Sequence, residues 1–142
     1  MDTFDIKAFP YEAFGQGVTR QVRLVVSPET TGESRLSIVH TTVPAGALSE
    51  GHVHPDYDEY IYFDIGGAVI LDGVRHEIPP MGLVHARAGV NHECVNLSPD
   101  QTLTLFCVFV PPLKPYGAYP ALIEKTKRYL AQGSSPGRAI NA

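Results

Sequence analysis

Apolar and polar residues alternate over short stretches along most of this chain, and turn residues separate the stretches. Alternation of this kind is typical of strands that bury one face. The predicted strands are residues 21–26, 36–43, 51–54, 59–65, 68–71, 74–78, 83–86, 92–97 and 103–110. Turns are predicted at 29–33, 79–82 and 98–101, and Asp72-Gly73 between two apolar runs gives the clearest hairpin signal.

The two ends of the chain follow other patterns. A helix is predicted over 120–132, because Pro120 suits a first helical turn and Gly133 a helix end. Residues 1–20 are predicted to form an arm whose aromatic residues cover one face of the sheets, and residues 134–142 a disordered tail. The aromatic residues of the arm are Phe4, Phe9, Tyr11 and Phe14.

Composition supports one all-β domain over residues 1–142. The chain has 142 residues, 44% of them apolar, with 13 glycines and 12 prolines to make tight turns. A net charge of -4 without a basic cluster argues against a nucleic-acid partner. The sequence shows no membrane span and no signal-peptide order in residues 1–7, so a cytoplasmic location is expected.

The strongest chemical pattern is G-x5-H-x-H-x4-E-x6-G, which runs from Gly46 to Gly66 and contains His52, His54 and Glu59. Alternate residues of a strand share a face about 6.6 Å apart, so both imidazoles can reach one metal ion. Glu59 follows a turn and opens a strand expected to return antiparallel beside the first. Its carboxylate is therefore expected at the same point.

A second pattern, G-x2-H-x3-N, consists of Gly89, His92 and Asn96. Its histidine, His92, is the predicted fourth ligand. Three neutral imidazoles and one carboxylate around a divalent ion leave a net charge near +1 and open positions. An anionic or chelating small molecule is therefore the expected partner. The donor set suits Fe(II), Mn, Ni, Cu or Zn, and the predicted cofactor is one such divalent transition metal.

Three further residues are candidates for chemistry near this site. His85 would lie beside the metal if its strand turns it inward, as a fifth ligand or as the acid/base group; otherwise it is a surface histidine. Cys94 shares a face with His92. A hairpin around 98–101 would place Cys107 opposite His92 and Cys94 opposite Leu105, a poor geometry for a disulfide. Both cysteines are predicted to be reduced thiols.

The two histidine patterns resemble the signature motifs of the cupin superfamily. The resemblance implies a double-stranded β-helix, a jelly-roll-like barrel around one metal held by His52, His54, Glu59 and His92. The second motif departs from the family pattern, with Arg87 in place of a proline and a shorter spacer from Gly82. A homodimer through the arm and an outer sheet is expected, since exposed sheet edges are commonly paired or covered.

Two groups of cupins are similar to this chain beyond the metal motifs. Small cupins of aromatic polyketide pathways are similar in residues 27–32 and 51–59. Ectoine synthase is similar in the order of several segments, and there a tyrosine at the position of His85 helps bind iron. That resemblance implies Fe(II) first, and Thr41 and Phe109 as pocket residues. The chain lacks the acidic, histidine-containing segment that ectoine synthase carries before its final Tyr-Pro, which argues against the same substrate.

These patterns leave three functional hypotheses. The first is a metal-dependent lyase, cyclase or isomerase acting on a small oxygenated molecule, with His85 or a water moving the proton and with Thr41, Cys94, Cys107 and Phe109 contacting the substrate. The second is an Fe(II) or Cu dioxygenase acting on an enolisable or aromatic substrate. The third is a non-catalytic module that binds a metal or small ligand.

Overall fold

A computed structural model describes residues 3–15, 20–49, 51–114 and 119–132, and it is dominated by two antiparallel sheets. The strands are β1 (Glu12–Phe14), β2 (Arg20–Val26), β3 (Ser37–Val43), β4 (Asp58–Phe63), β5 (Gly67–Leu71), β6 (Val74–Ile78), β7 (Gly82–Ala86), β8 (His92–Val95) and β9 (Leu103–Val110). The all-β prediction is confirmed. Most of these strands begin or end one or two residues away from their predicted limits.

The larger sheet has six strands in the order β1-β2-β3-β9-β4-β7. Burial alternates strictly along β3 and β9, so every second side chain faces the second sheet. On β4 the buried positions are Glu59, Ile61 and Phe63, while Tyr60 and Tyr62 lie on the outer face, as predicted. A carboxylate thus shares its face with core residues.

The smaller sheet has three strands in the order β6-β5-β8. The predicted Asp72-Gly73 hairpin joins β5 to β6, and both turn residues have positive φ. The chain passes from β4 to β5 through Gly66, whose φ of 81° favours glycine, and this glycine closes the first histidine motif. The segment after β3 continues this sheet along β8 through isolated bridges from Leu48 to Val95 and from His52 to His92.

The core lies between the two sheets and under the C-terminal helix. Its largest fully buried apolar side chains are Val43, Ile61, Phe63, Val69, Leu103 and Leu122. The helix α2 (Tyr119–Ala131) matches the predicted helix within one residue and buries Leu122, Ile123 and Thr126. Among the described residues, no helix is long and apolar enough to cross a membrane.

The arm folds back on its own chain. A 3-10 turn (Ile6–Ala8) leads to Phe9, which is buried and contacts the Tyr129 ring at a centroid distance of 4.9 Å. Strand β1 then pairs with β2, and the Lys125 ammonium lies 2.6 Å from the Glu12 carboxylate. The arm thus covers α2 and the edge of the larger sheet, while the predicted tail, 134–142, lies outside the described residues.

Three local predictions are wrong. Residues 29–33 are not a simple turn: a short helix, α1 (Pro28–Thr31), begins after the capping hydroxyl of Ser27. Residues 51–54 form only one bridge instead of a strand paired with β4. Strands β8 and β9 do not form a hairpin, because β8 pairs with β5 and β9 pairs with β3 and β4. Cys94 therefore lies opposite Val69, and Cys107 between Val39 and Ile61.

Asn96, the last residue of the second motif, holds the connection from β8 to β9 against the end of β3. Its buried side-chain amide donates to the backbone oxygens of Val43, Pro44 and Gln101 at 2.8–3.1 Å, and its Oδ1 accepts from Ser98 N at 3.0 Å. One side chain therefore fixes the end of β3 against the turn that follows β8.

We expect Asn96→Ala to lower the free energy of unfolding by about 2–4 kcal/mol, because it leaves buried carbonyl oxygens without donors. Urea unfolding followed by circular dichroism measures the change. Asn91→Ala is the matched control, since the Asn91 side chain forms no hydrogen bond within the described residues. Equal stability of the two variants would contradict this role for Asn96.

Candidate metal centre

His52, His54, Glu59 and His92 form one cluster, and one ligand atom from each lies within 4.8 Å of the others. Three of the four residues are buried, and His52 is partly buried. Glu59 comes from the inner face of the six-stranded sheet, and His92 begins β8 in the three-stranded sheet. The cluster therefore lies between the two sheets.

Backbone pairing brings the histidines together. His52 and His92 exchange both backbone hydrogen bonds, at 3.0 and 3.2 Å, and their ring centroids lie 4.3 Å apart. Two residues on, His54 packs between the rings of Tyr57 and Phe109, at centroid distances of 4.9 and 5.4 Å. The first motif thus pairs, at His52, with the start of β8 in the second motif. This pairing replaces the predicted pairing of residues 51–54 with β4.

The side-chain atoms of the cluster fit a metal ion better than they fit each other. Glu59 Oε1 lies 2.9 Å from His92 Nε2 and 3.4 Å from His54 Nε2, yet these three buried atoms have no hydrogen-bond partner. Buried polar atoms in native proteins are nearly always satisfied. Three imidazoles and one carboxylate are the donors that divalent transition metals prefer, so the residues present fit such an ion.

The electrostatics of the cluster favour a cation. Burial disfavours the ionised form of Glu59, but the rings of His54 and His92 outweigh it and lower the pKa of this carboxyl to about 2. Burial also opposes a charge on His92, while the Glu59 carboxylate raises the pKa of that imidazole above its ordinary value. A negative charge is therefore fixed on Glu59, where a bound cation would compensate it.

A cavity of about 40 Å³ adjoins the cluster. A cavity needs roughly 10–15 Å³ to hold one water, so this one holds a few water molecules or one small chemical group. Its walls include the four residues predicted to contact substrate, which are Thr41, Cys94, Cys107 and Phe109. It also contacts His52, Glu59 and His92, so a molecule in the cavity would meet the metal ligands.

The two cysteines are free and buried, as predicted, although the hairpin on which that prediction rested is absent. Burial, with a further contribution from the Glu59 charge, raises the pKa of the Cys94 thiol to about 12. The same two causes raise the pKa of Cys107 well above its ordinary value. Both thiols are therefore protonated at neutral pH, and they form neutral, weakly polar walls of the cavity.

The inward orientation considered for His85 is not observed. On β7 the buried positions are Gly82, Val84 and Ala86, so His85 points to the outer face of the sheet. There its Nε2 lies 2.7 Å from Asp58 Oδ2, and its ring stacks on Tyr60 at 4.3 Å. Because the sheet separates it from the cluster, His85 can act neither as a fifth ligand nor as the acid/base group.

Among the cavity residues that were not identified from the sequence, two carry titratable side chains, Arg20 and Tyr119. Arg20 begins β2 and shares the inward face of Val22 and Leu24, but the predicted strand started one residue later. The period-two pattern extended back by one residue would have pointed to it. Tyr119 begins α2 next to Pro120, where the sequence predicted only a helix start.

A larger surface groove of about 980 Å³ lies elsewhere, between the arm and the outer faces of β2, β3 and β9. It is lined by residues such as Lys7, Arg23 and His40, and within the described residues no group of metal ligands lies in it. Judged by volume alone, this groove would be the preferred candidate for the functional site. The convergent donors place the candidate centre in the small internal cavity instead.

Two antiparallel sheets around a three-histidine, one-glutamate cluster define a cupin fold, and solved structures agree. KdgF from a Halomonas species matches with 24% identity and a TM-score of 0.62, over 78% of this chain and 94% of that chain. An RmlC-like cupin from Shewanella frigidimarina matches with 19% identity and a TM-score of 0.58, over 78% and 92%. Ectoine synthase from P. lautus matches with 20% identity and a TM-score of 0.56, over 70% and 69%.

At these identities the likeness establishes the fold and leaves the reaction open. No protein-family model matches the chain, and no curated protein matches its sequence. The cupin fold predicted from the motifs is confirmed. Ectoine synthase, one of the two predicted resemblances, is among the structural neighbours.

We expect a divalent metal to raise the melting temperature, because an ion that binds only the folded state adds about 2.7 kcal/mol of stability at one hundred times its dissociation constant. His92→Ala should abolish both this shift and the metal that copurifies with the protein. The matched control is His85→Ala, which removes an imidazole from the outer face. Calorimetry and elemental analysis measure the two quantities, and equal metal content in both variants would exclude the site.

Proposed function

We propose that this protein is a metal-dependent enzyme that performs lyase, cyclase or isomerase chemistry on a small oxygenated molecule. The observation that supports this is the convergence of four ligand atoms beside an internal cavity. The proposed cofactor is one divalent transition metal, with Fe(II) expected first and Mn, Ni, Cu or Zn as alternatives. Bound there, it would act as a Lewis acid toward a carbonyl or carboxylate oxygen.

The surrounding residues orient the substrate and exclude water. Phe109 contacts the His54 ring edge-on, which fixes that ligand and closes one side of the cavity. Thr41 is 7% exposed and offers a hydroxyl group to the cavity, where it can donate to or accept from a substrate oxygen. Cys94 and Cys107 keep the remaining wall neutral. When a substrate displaces the water from such a small, buried site, its electrostatic interactions with the walls become stronger.

Proton transfer needs a group on the cavity wall, and His85 is not there. Outside the metal cluster, the titratable side chains that line the cavity are Arg20, Cys94, Cys107 and Tyr119. Arginine does not deprotonate in proteins, and the two thiols stay neutral because their pKa values are raised. Tyr119 is therefore the side chain proposed as acid/base group, alongside a water molecule.

We expect Tyr119→Phe to lower proton transfer by roughly 10²–10⁴, the usual contribution of a positioned acid or base, with metal content unchanged. Exchange of hydrogens next to the carbonyl of small oxo acids, followed by NMR in D₂O, measures proton transfer directly. Tyr60→Phe, on the outer face of β4, is the control. Identical exchange rates in both variants would remove Tyr119 from the mechanism.

Two other functions make different predictions in the same assay. A dioxygenase with this ligand set would consume O₂ when substrate is added, which an oxygen electrode detects, whereas the proposed chemistry consumes none. A non-catalytic module would bind a small ligand tightly without exchange or oxygen uptake. The buried cavity suits all three, and the proton-transfer reading is preferred because Tyr119 provides a titratable group on its wall.

We also propose that the protein is a cytoplasmic homodimer that associates through the outer face of the larger sheet. Tyr62 lies opposite Leu83 on β7 and opposite Phe106 on β9, which makes an apolar row, and Leu83 is 66% exposed. Exposed apolar patches of this kind commonly mark interfaces.

We expect Leu83→Glu to convert a dimer at micromolar concentration into a monomer, because it buries an unpaired charge in the interface. Sedimentation velocity measures the mass. Val74→Glu is the control, since Val74 is similarly exposed, at 58%, but lies on the other sheet. A wild-type protein that sediments as a monomer would refute the dimer.

A further inference from the structure

Arg20 brings a positive charge to the cavity beside the ligand cluster, and no described residue forms an ion pair with it. The guanidinium group is part of the cavity wall, together with Glu59 and His92. Its Nε is buried and has no hydrogen-bond partner, and within the described residues no carboxylate lies within ion-pair distance of Arg20. Arg20 as a whole is only partly buried, but leaving its buried Nε donor without an acceptor costs free energy, so this donor suits an anionic ligand.

The arm holds this guanidinium in place. Arg20 pairs with Phe14 across β1 and β2, and its Cζ lies 5.4 Å from the centre of the Phe14 ring. A cation-π contact of this kind orients an arginine without using its N–H donors. The donors thus stay available for a ligand.

The net charge of the cavity, once a metal is bound, would favour an anionic ligand. Apart from the histidines, the permanently charged residues on its wall are Arg20 and Glu59, whose charges cancel. A divalent metal would then leave a net charge of about +2 in a space that holds only a small group. A guanidinium fork matches a carboxylate, which is one of the smallest anions able to accept two parallel hydrogen bonds.

We propose that Arg20 binds the carboxylate of the substrate, so that the enzyme acts on small carboxylic acids whose neighbouring oxygen faces the His52-His54-Glu59-His92 cluster. This rests on the proposed function for the role of the metal, but the anion site stands on Arg20 itself. The cavity of about 40 Å³ excludes a phosphorylated sugar or a nucleotide from the space between Arg20 and the cluster. Arg20 is thus a substrate-binding residue that sets specificity.

The test uses three probes of nearly equal size, oxalate, oxamate and oxamide, which carry two, one and no carboxylates. Isothermal titration calorimetry of the Zn-loaded protein compares wild type with Arg20→Gln and Arg20→Lys. We expect Arg20→Gln to weaken oxalate and oxamate by about ten- to a hundredfold and oxamide by less than threefold, as for the loss of a charge-assisted hydrogen bond. Arg20→Lys should fall between, because it keeps the charge but not the fork.

The control variant is Arg23→Gln, three residues along the same strand. Arg23 donates from Nε to Phe9 O at 3.1 Å and lies over Tyr11 on the outer face. It should leave the binding of all three probes unchanged. A second readout is zinc affinity, which Arg20→Gln should raise by a few fold because it removes a positive charge that faces the metal; a purely structural Arg20 would not raise it.

The outcomes separate this inference from the proposed function. Equal oxalate affinity in wild type and Arg20→Gln, or no oxalate binding by the Zn-loaded wild type, would overturn the role of Arg20 while metal binding stands. If the protein takes up no metal, the proposed function fails. The anion site is then tested by the oxalate-dependent rise in melting temperature of the metal-free protein, which must be larger in wild type than in Arg20→Gln.

Discussion

The paired backbone hydrogen bonds between His52 and His92 are the contact on which the rest of the site depends. They join the loop that carries the first motif to the strand that carries the second, two segments forty residues apart in sequence. Once these two rings are fixed, His54 and Glu59 follow His52 closely enough in sequence for their side chains to reach the same cluster. Asn96 secures the other end of the same strand through hydrogen bonds to Val43 and Pro44.

The site also contains charged groups whose burial costs free energy of folding. Glu59 occupies a core position between the sheets, and its Oε1 has no hydrogen-bond partner although it is buried. Arg20 lines the same small cavity, and its buried Nε has no hydrogen-bond partner among the described residues. A protein gains nothing in stability from this arrangement unless a cation and an anion satisfy both charges. The two features together therefore favour a ligand-binding role over a purely structural one.

Much of this organisation could be predicted from the sequence, because it follows from periodicity and spacing. The alternation along β3 and β9, the Asp72-Gly73 hairpin and the four metal-ligand candidates are all local signals. Strand partners are not local, and for that reason the expected β8-β9 hairpin and the pairing of residues 51–54 with β4 are absent. His85 shows the same limit: its face depends on a register that spacing alone left open. Arg20 escapes the sequence pattern because the predicted strand begins at residue 21, one residue after the observed start of β2.

The most direct test of the account is a crystal structure of the protein soaked with Zn²⁺ or Mn²⁺, with anomalous data collected at the metal edge. We expect one strong anomalous peak between the sheets, about 2.0–2.3 Å from a nitrogen of His52, His54 and His92 and from a Glu59 oxygen. Absence of a peak there at saturating metal, with Glu59 Oε1 still 2.9 Å from His92 Nε2 as in the structure, would contradict a metal site at this cluster.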